Sequence, residues 1–316
     1  MDLLSIFSVT NLALNLFGVI VGIIFGFLPG LSATMGVALV MPFTFGMDSI
    51  SAFALLLGVY CGGIYGGSIT AILIRTPGTP ASAATVLDGY PMTERGQARL
   101  ALSTATIASF WGGLFSCVVL IVGARAIANF ALQFGPAEYC AVAIFGISMV
   151  SSLSKKNIVK GVISACLGLM LGTVGVDQIS GVPRFTLGNV NFMAGIELVS
   201  ALIGLFALTE VFNKLENIRT MKPYPDVGEL GGKGIGIFEL VIKYPFNMLR
   251  SAIIGTIVGI IPATGSGTAS WISYNEAIRA SKHPENFGKG EINGVIASEC
   301  ANNAVTGGAL VPLLSL

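Results

Sequence analysis

The chain has 316 residues, of which 53% are apolar and 10% are charged, and its formal net charge is +1. With a mean hydropathy of +0.82, most of the chain could not form the surface of an ordinary soluble domain. Lys and Arg are sparse, which excludes a nucleic-acid-binding protein. The five cysteines lie singly and the lone histidine, His283, has no Cys or His neighbour, so neither a disulfide framework nor a zinc site is indicated.

Long stretches of the first 123 residues carry no charge. Residues 3–47, 49–74 and 101–123 contain no Asp, Glu, Lys or Arg, and each exceeds the roughly 20 residues that a membrane-spanning helix needs. A single straight helix over 12–46 would be about 52 Å long, against a hydrocarbon core of about 30 Å. The sequence therefore predicts two half-helices, broken at Leu28-Pro29-Gly30, that enter and leave the membrane on the same side.

Five further spans are predicted, near 51–74, 101–123, 138–154, 160–176 and 193–212. The positive-inside rule places the lysines around 155–160 in the cytoplasm and the loop 177–192 outside. The run GYPMTERGQAR, residues 89–99, is typical of a solvated loop. Glu197 and Glu210, near the ends of the last span, are compatible either with a proton relay or with snorkelling and loop pairing.

The first broken segment has a counterpart late in the chain. Gly22-x3-Gly26-x2-Pro29 recurs as Gly255-x3-Gly259-x2-Pro262, inside a segment 251–278 that is broken at Pro262-Ala263-Thr264-Gly265. Five intervening spans, an odd number, place the two broken segments on opposite sides of the membrane, so the repeat is predicted to be inverted.

The predicted fold class is thus an all-α polytopic membrane protein with two inverted repeats, each containing a Gly/Pro-broken re-entrant helix pair. Residues 1–212 would hold the first repeat with scaffold helices, 213–250 a cytoplasmic amphipathic linker, and 251–316 the start of the second repeat.

A second repeated element follows each broken segment, with Gly66-Gly67-Ser68 in the first half and Gly307-Gly308 after Glu299 and Asn302-Asn303 in the second. Ser, Thr and Asn side chains with freed carbonyls can replace the oxygen shell of a small cation, and half-helix N-termini attract anions. Broken helices in corresponding halves are typical of a transporter's binding site. For Gly22, Gly26, Gly255 and Gly259, small-x3-small spacing favours helix packing over ligand contact.

We therefore predict substrate- or ion-binding residues in both halves and no catalytic residue. In the first half they are Pro29, Gly30, Ser32, Thr34, Gly67, Ser68, Thr70, Arg75, Thr76, Pro77, Gly78 and Thr79. In the second half they are Pro262, Thr264, Gly265, Ser266, Asn302, Asn303 and Thr306. The Arg75 guanidinium could hold a carboxylate through a bidentate pair, or it could snorkel to the cytoplasmic interface.

Two other function classes compete with a transporter. A passive channel would use the same carbonyl-lined breaks, but paired inverted breaks favour alternating access. An intramembrane serine protease would need a base near its nucleophile, and the only histidine lies in a polar loop without an obvious serine partner. An enzyme is therefore not expected.

Two long motifs resemble the TctA family, the large membrane subunit of the tripartite tricarboxylate transporters. They are GFLPGLSATMGVALVMPFTFGMDSISAFALLLGVYCGGIYGGSITAILIRTPGTPASAATVLDGYPM and SKHPENFGKGEINGVIASECANNAVTGGALVPLLSL. The resemblance implies a permease of the bacterial inner membrane that imports citrate-like or other carboxylates with a coupling cation, for which we expect sodium, and no other cofactor. It also implies two partners, a small TctB-like membrane subunit and a periplasmic TctC-like solute-binding protein.

The chain departs from the family pattern in three ways. Arg75 stands where the family more often has Asn, and Ile261-Pro262-Ala263 stands where it usually has LPG. Family members are also longer, so an N-terminal fragment, inactive without the missing part, is expected as an alternative to a complete permease.

Overall fold

A computed structural model describes residues 6–28, 31–131, 158–177, 180–196, 233–261 and 264–315, together with 137, 212, 215 and 216. These residues are mostly helical. The helices are α1 (Val9–Phe27), α2 (Ala33–Val40), α3 (Ser49–Ile74), α4 (Val86–Glu94), α5 (Ala98–Ala131), α6 (Ile158–Gly172), α7 (Ile237–Lys243), α8 (Pro245–Ile260), α9 (Gly265–Ala280) and α10 (Ile292–Ser315). Short 3-10 helices lie at Met41–Thr44, Pro80–Ser82, Val190–Phe192 and Pro284–Asn286.

The chain forms two compact units. The first comprises Met1–Asn129 with Asn213–Leu316, and the second comprises Phe130–Phe212. In the second unit, α6 precedes two short antiparallel strands, β1 (Gly175–Val176) and β2 (Pro183–Arg184), with Gly175 paired to Arg184. The Asp177 carboxylate forms an ion pair of 3.0 Å with Arg184 beside these strands.

The two Gly/Pro breaks lie where the sequence predicts them, between α1 and α2 and between α8 and α9. Leu28 (ψ 111) ends α1 and Ile261 (ψ 114) ends α8, both in extended conformation. Each precedes a proline, whose ring disfavours the helical conformation in the preceding residue, so both helices stop at the same point of the repeated motif. Pro29, Gly30 and Pro262 themselves lie outside the described residues.

We call α1, α2 and α3 the N-terminal triplet. In it α1 and α3 run parallel, since Gly18 lies against Leu55 and Gly22 against Val59. A Cβ added at Gly22 would be 2.2 Å from the Val59 carbonyl oxygen, so only glycine permits this approach. The start of α3 returns to the start of α1, where Ser51 Oγ donates to Asn11 Oδ1 at 2.7 Å. The chain must therefore run back along α2, which packs against both helices, since Gly36 lies against Phe25 of α1 and Val59 of α3.

The C-terminal triplet, which we define as α8, α9 and α10, repeats this arrangement. A Cβ at Gly255 would be 2.2 Å from the Ala301 carbonyl oxygen, and one at Gly259 would be 2.8 Å from that of Val305. Residue numbers rise together along both helices, so α8 and α10 are also parallel. The packing interpretation of the repeated glycines is confirmed in both triplets.

The two triplets meet along α3 and α10, which run antiparallel. Ser68 hydrogen-bonds Glu299, whereas Cys61, two turns earlier in α3, contacts Thr306, two turns later in α10. Helix α5 packs beside both, and a Cβ at Gly112 would meet the Cys300 carbonyl oxygen at 2.0 Å. Side chains from α3, α5 and α10 therefore share one interior.

Within the residues that the structure describes, three helical segments are long and apolar enough to cross a membrane: Val9–Phe27, Ser49–Ile74 and Ala98–Gly123. The predicted spans 51–74 and 101–123 are thus confirmed as helices of spanning length. Large apolar side chains cover their outer faces, including Leu16 (62% exposed) and Phe17 (58% exposed) on α1. Contiguous apolar exposure of this kind is typical of a lipid-facing surface.

Two details of the predicted elements are wrong. The run 89–99 is not wholly a solvated loop, because it begins within α4, where Met92 is buried. The predicted span 160–176 ends early, since α6 stops at Gly172 and β1 follows. The predicted span 138–154, most of 193–212, and both Glu197 and Glu210 lie outside the described residues.

Candidate functional site

The polar interior of the first unit is centred on α10. Five of its side chains are at most 5% exposed although they are polar: Ser298, Glu299, Asn302, Asn303 and Thr306. Burying polar groups is costly unless each finds a hydrogen-bond partner, so their partners define what this interior can do.

Glu299 is completely buried and its carboxylate accepts hydrogen bonds from three hydroxyl groups. Ser68 Oγ of α3 lies 2.8 Å from Oε2, and Ser109 Oγ of α5 lies 3.1 Å from the same oxygen. Thr85 Oγ1, just before α4, donates to Oε1. Among the described residues, no Lys, Arg or His forms an ion pair with Glu299. The charge of the ionised carboxylate is therefore compensated by neutral donors alone.

The adjacent asparagines connect this carboxylate to the surrounding segments. Asn303 Nδ2 lies 2.8 Å from Ser109 Oγ and 2.6 Å from Asn302 Oδ1. Asn302 Nδ2 donates to the Ala81 carbonyl oxygen at 3.3 Å. Thr306 Oγ1 donates to the Asn303 carbonyl oxygen at 2.6 Å. Three predicted residues, Ser68, Asn302 and Asn303, are therefore brought together around Glu299.

The segment between α3 and α4 supplies the other wall of this interior. Arg75 ends α3 in the left-handed conformation (φ 58), and Pro77 prevents the helix from resuming. Gly78 N–H donates to the Gly67 carbonyl oxygen at 3.2 Å, and a Cβ at Gly78 would be 2.0 Å from the Gly26 carbonyl oxygen. The segment thus folds back over the end of α1, which carries Ala81 and Thr85 towards α10.

Other predicted residues of this segment have different surroundings. Thr70 is buried and donates to the Gly67 carbonyl oxygen at 3.3 Å. Thr79 is 5% exposed, and its hydroxyl has no hydrogen-bond partner among the described residues. Arg75 and Thr76 are exposed and Pro77 is half-buried. The Arg75 guanidinium carbon lies 5.6 Å from the centre of the Tyr90 ring.

The predicted residues next to the breaks that the structure describes do not contact Glu299. Ser32 Oγ caps α2 by accepting from Met35 N–H at 3.2 Å, and Thr34 is exposed. Thr264 Oγ1 donates to the Ile261 carbonyl oxygen at 2.8 Å. Gly265 has a positive φ of 74° and is exposed, and Ser266 is half-buried.

A second buried carboxylate, Asp88 of α4, links that helix to α9 and to the loop before α10, outside the three spanning segments. Its Oδ1 accepts from the backbone N–H groups of Gly290 (2.9 Å) and Glu291 (2.8 Å), and its Oδ2 accepts from the Tyr274 hydroxyl at 2.8 Å. Burial raises the pKa of the Asp88 carboxyl above its ordinary value, although these hydrogen bonds act in the opposite direction.

A cavity of about 470 Å³ reaches the Glu299 interior from one side. Apolar side chains of α1, α3 and α5 form most of its wall, among them Val19, Tyr65 and Phe110. Its polar end is formed by Ser109, Asn303 and Thr306. The same residues that surround Glu299 therefore contact accessible space.

The sequence did not single out Glu299, Thr85, Ser109 or Asp88. Thr85 and Ser109 carry no local motif, and they reach Glu299 across 214 and 190 residues of sequence. Glu299 did offer a signal, because it stands among small and apolar residues, where an ionisable side chain is a candidate functional group in itself. From the sequence, only Glu197 and Glu210 were predicted as ionisable functional groups within a span.

The architecture and this interior define a polytopic helical membrane protein with two broken helices and a buried polar centre. The chain belongs to the tripartite tricarboxylate transporter TctA family, whose model matches residues 12–316. The resemblance seen in the sequence is therefore confirmed.

Two proteins of Agrobacterium vitis are similar to this chain. The uncharacterized 52.8 kDa protein in the TAR-I ttuC' 3' region is 37% identical over 329 residues, which cover 100% of this chain and 64% of that protein. The uncharacterized protein in the TAR-II ttuC' 3' region is 42% identical over 62 residues, covering 20% of this chain and 26% of that protein. The chain thus spans less than two thirds of the length of either relative. No solved structure matches it.

Proposed function

We propose that this chain forms part of the permease of a binding-protein-dependent tripartite system. The system imports tricarboxylates or related carboxylates, citrate among them, by symport with a coupling cation, for which we propose sodium. It works in the bacterial inner membrane with a small TctB-like membrane subunit and a periplasmic TctC-like solute-binding protein. The observation that carries this proposal, beyond family membership, is the buried Glu299 interior between two broken-helix triplets.

The two triplets are proposed to be inverted repeats within the predicted divisions 1–212 and 251–316. Three observations support this: α1 is parallel to α3, α8 is parallel to α10, and α3 is antiparallel to α10. The hydrogen bonds that Asp88 accepts from Gly290 and Glu291 bring α4, which precedes the loop before α5, beside the loop before α10. Loop charge assigns both loops to the cytoplasm, which agrees with this contact.

The residues next to the breaks are proposed to bind the anionic substrate. Helix N-termini that follow a break, such as those of α2 and α9, present unpaired N–H groups and a positive dipole end that favour carboxylates. Gly267, near the start of α9, lies against Pro80, where an added Cβ would be 3.1 Å from the Pro80 carbonyl oxygen. The second break is therefore close to the segment that leads to Glu299.

Uptake by the reconstituted three-component system tests this function. We expect accumulation of a labelled carboxylate against its gradient when sodium is present, measured across a panel of tri- and dicarboxylates with choline replacing sodium in parallel. Vesicles that contain the two partners without the permease are the matched control. Equilibration without accumulation would indicate a channel, and no uptake of any carboxylate would contradict the proposal.

A further inference from the structure

Glu299 lies where three separate segments of the chain converge. Its hydroxyl partners come from α3 (Ser68), from the segment before α4 (Thr85) and from α5 (Ser109), at 231, 214 and 190 residues of sequence separation. A carboxylate needed only for packing α10 would not require partners from three elements. The convergence instead places hydroxyl oxygen atoms from three elements around one carboxylate.

The charge at this point is unbalanced. Glu299 is 0% exposed, and no basic side chain of the described residues forms an ion pair with it. An ionised carboxylate removed from water costs several kcal/mol unless a cation or strong hydrogen bonds compensate it. The three hydroxyl donors reduce this cost but leave a net charge of about −1 that a monovalent cation would cancel.

The hydroxyl groups can serve either state of the carboxylate. A serine or threonine hydroxyl donates one hydrogen bond and also has two lone pairs, so rotation of the O–H bond turns a donor to Glu299 into a ligand for a cation. Asn303 Nδ2, at 2.8 Å from Ser109 Oγ, holds that oxygen in place while the hydroxyl proton faces Glu299. The oxygen positions are therefore fixed before an ion arrives.

The ligand set selects the kind of cation. All five contributing atoms are hard oxygens, two from the Glu299 carboxylate and three from hydroxyl groups. Divalent cations usually require several carboxylates, and the described residues contain no group of three or more His, Cys, Asp or Glu that could hold one. A proton would be held by one carboxylate oxygen, whereas several oxygen atoms from different elements around one point suit an ion that many ligands share.

We propose that Glu299, Ser68, Thr85 and Ser109 bind a single Na⁺, and that this is the coupling-ion site of the permease. The inference rests on the proposed function, since a coupling ion presupposes transport. The cavity lined by Ser109 and Asn303 adjoins this site. Substitution of a neutral group for Glu299 removes the only charge of this ligand set.

Sodium-dependent thermal unfolding of the purified protein in detergent tests the site without requiring transport. We expect the melting temperature to rise with NaCl and not with choline chloride at equal ionic strength and fixed pH, because a ligand of the folded state stabilises it. Glu299→Gln is expected to abolish the rise, and Ser109→Ala to raise the half-saturating sodium concentration by about tenfold or more. Glu276→Gln changes a half-buried carboxylate that is paired with Arg279 and lies outside this ligand set, so this matched control should respond as the wild type does.

Several outcomes would overturn the sodium site. Equal stabilisation by sodium and choline, or an unchanged sodium response in Glu299→Gln, contradicts it directly. If Glu299→Gln does not fold, Ser109→Ala decides, and an unchanged half-saturating concentration in that variant rejects the site. A rate of carboxylate uptake that depends on pH and not on sodium concentration would also reject the sodium site. That outcome would still be consistent with the proposed permease function.

Discussion

Asp88 is the residue whose role follows most directly from its contacts. All three of its hydrogen bonds are donated to it, by Gly290 N–H, Glu291 N–H and the Tyr274 hydroxyl. Asp88→Asn replaces one acceptor oxygen by an NH2 group, which leaves a buried donor unpaired. We expect a loss of about 1–3 kcal/mol in the free energy of unfolding. Thermal unfolding of the purified protein in detergent measures it.

Two further variants make this prediction specific. Tyr274→Phe removes one donor and leaves both backbone contacts of Asp88, so its loss should be smaller, about 1 kcal/mol. Glu94→Gln changes an exposed carboxylate of the same helix and should leave the melting temperature unchanged. If Asp88→Asn has the same melting temperature as Glu94→Gln, these contacts do not stabilise the fold.

Substitution of Arg75 can distinguish an effect on backbone conformation from an effect on substrate binding. Asn tolerates the left-handed backbone at this position (φ 58) better than most residues, so Arg75→Asn should keep the fold. The exposed guanidinium, near the Tyr90 ring, is free to contact a substrate carboxylate, and we expect its removal to shift the preference among carboxylates. Competition across the same substrate panel measures this shift. An uptake profile identical to the wild type would assign Arg75 to the membrane interface.

Single residues of the site were predictable only in part. Ser68, Asn302 and Asn303 were recognised because hydroxyl and amide groups beside glycines in an apolar segment need partners that lipid cannot supply. Thr85 and Ser109 could not be recognised, because their role is created by contacts across 214 and 190 residues. Hydropathy and spacing describe local structure, and they do not encode which helix faces meet.

At the scale of helices, the glycines of α1 and α3 set the distance between the two axes. Gly22→Ala would place a Cβ 2.2 Å from the Val59 carbonyl oxygen, and a backbone atom cannot move aside as a flexible side chain would. We expect the helices to separate, with a loss of at least about 1–3 kcal/mol in stability. Melting temperature and the monodisperse fraction in size-exclusion chromatography measure it.

Gly168→Ala is the matched control for this substitution. Gly168 is also helical, in α6, but an added Cβ there would meet nothing within 4 Å. Alanine has the better helix propensity by about 1 kcal/mol, so this variant should be as stable as the wild type or more so. If the two alanine variants have the same melting temperature, the close approach of α1 and α3 is not needed for stability.

The helix breaks were predictable in position for a physical reason. Pro29 and Pro262 restrict the preceding Leu28 and Ile261, and both are extended in the structure. The helix α4 was missed, because Pro91 and Gly89 in its sequence are typical of a loop. Its burial against α9 and α10, through Asp88 and Met92, outweighs that local preference.

At the scale of the whole molecule, the inverted arrangement makes a prediction about sidedness. Asp48 precedes α3 and Glu285 lies before α10, and both are exposed. Since α3 and α10 are antiparallel, their first residues should face opposite sides of the membrane. We expect Asp48→Cys and Glu285→Cys, each in a background without native cysteines, to react with an impermeant maleimide from opposite sides.

The labelling needs a control for leakage of the reagent. Each variant is labelled in intact cells and again after permeabilisation, and Asp48→Cys should react in both conditions whereas Glu285→Cys should react only in the second. Labelling of both positions in intact cells, or of neither, would contradict the inverted repeat. The direction of each helix could be counted from loop charge, but the pairing of α3 with α10 could not.

The glycine contacts have a mechanical consequence. Along α1 with α3, and along α8 with α10, backbone meets backbone so closely that a shift of one residue would drive a side chain into a carbonyl group. Each pair must therefore move as one rigid body, and any hinge motion during a transport cycle is confined to the boundary between the pairs. Glu299 and Ser68 lie on that boundary, one on each body. An ion bound by both residues would hold the two bodies together, and its dissociation would allow them to rotate relative to each other.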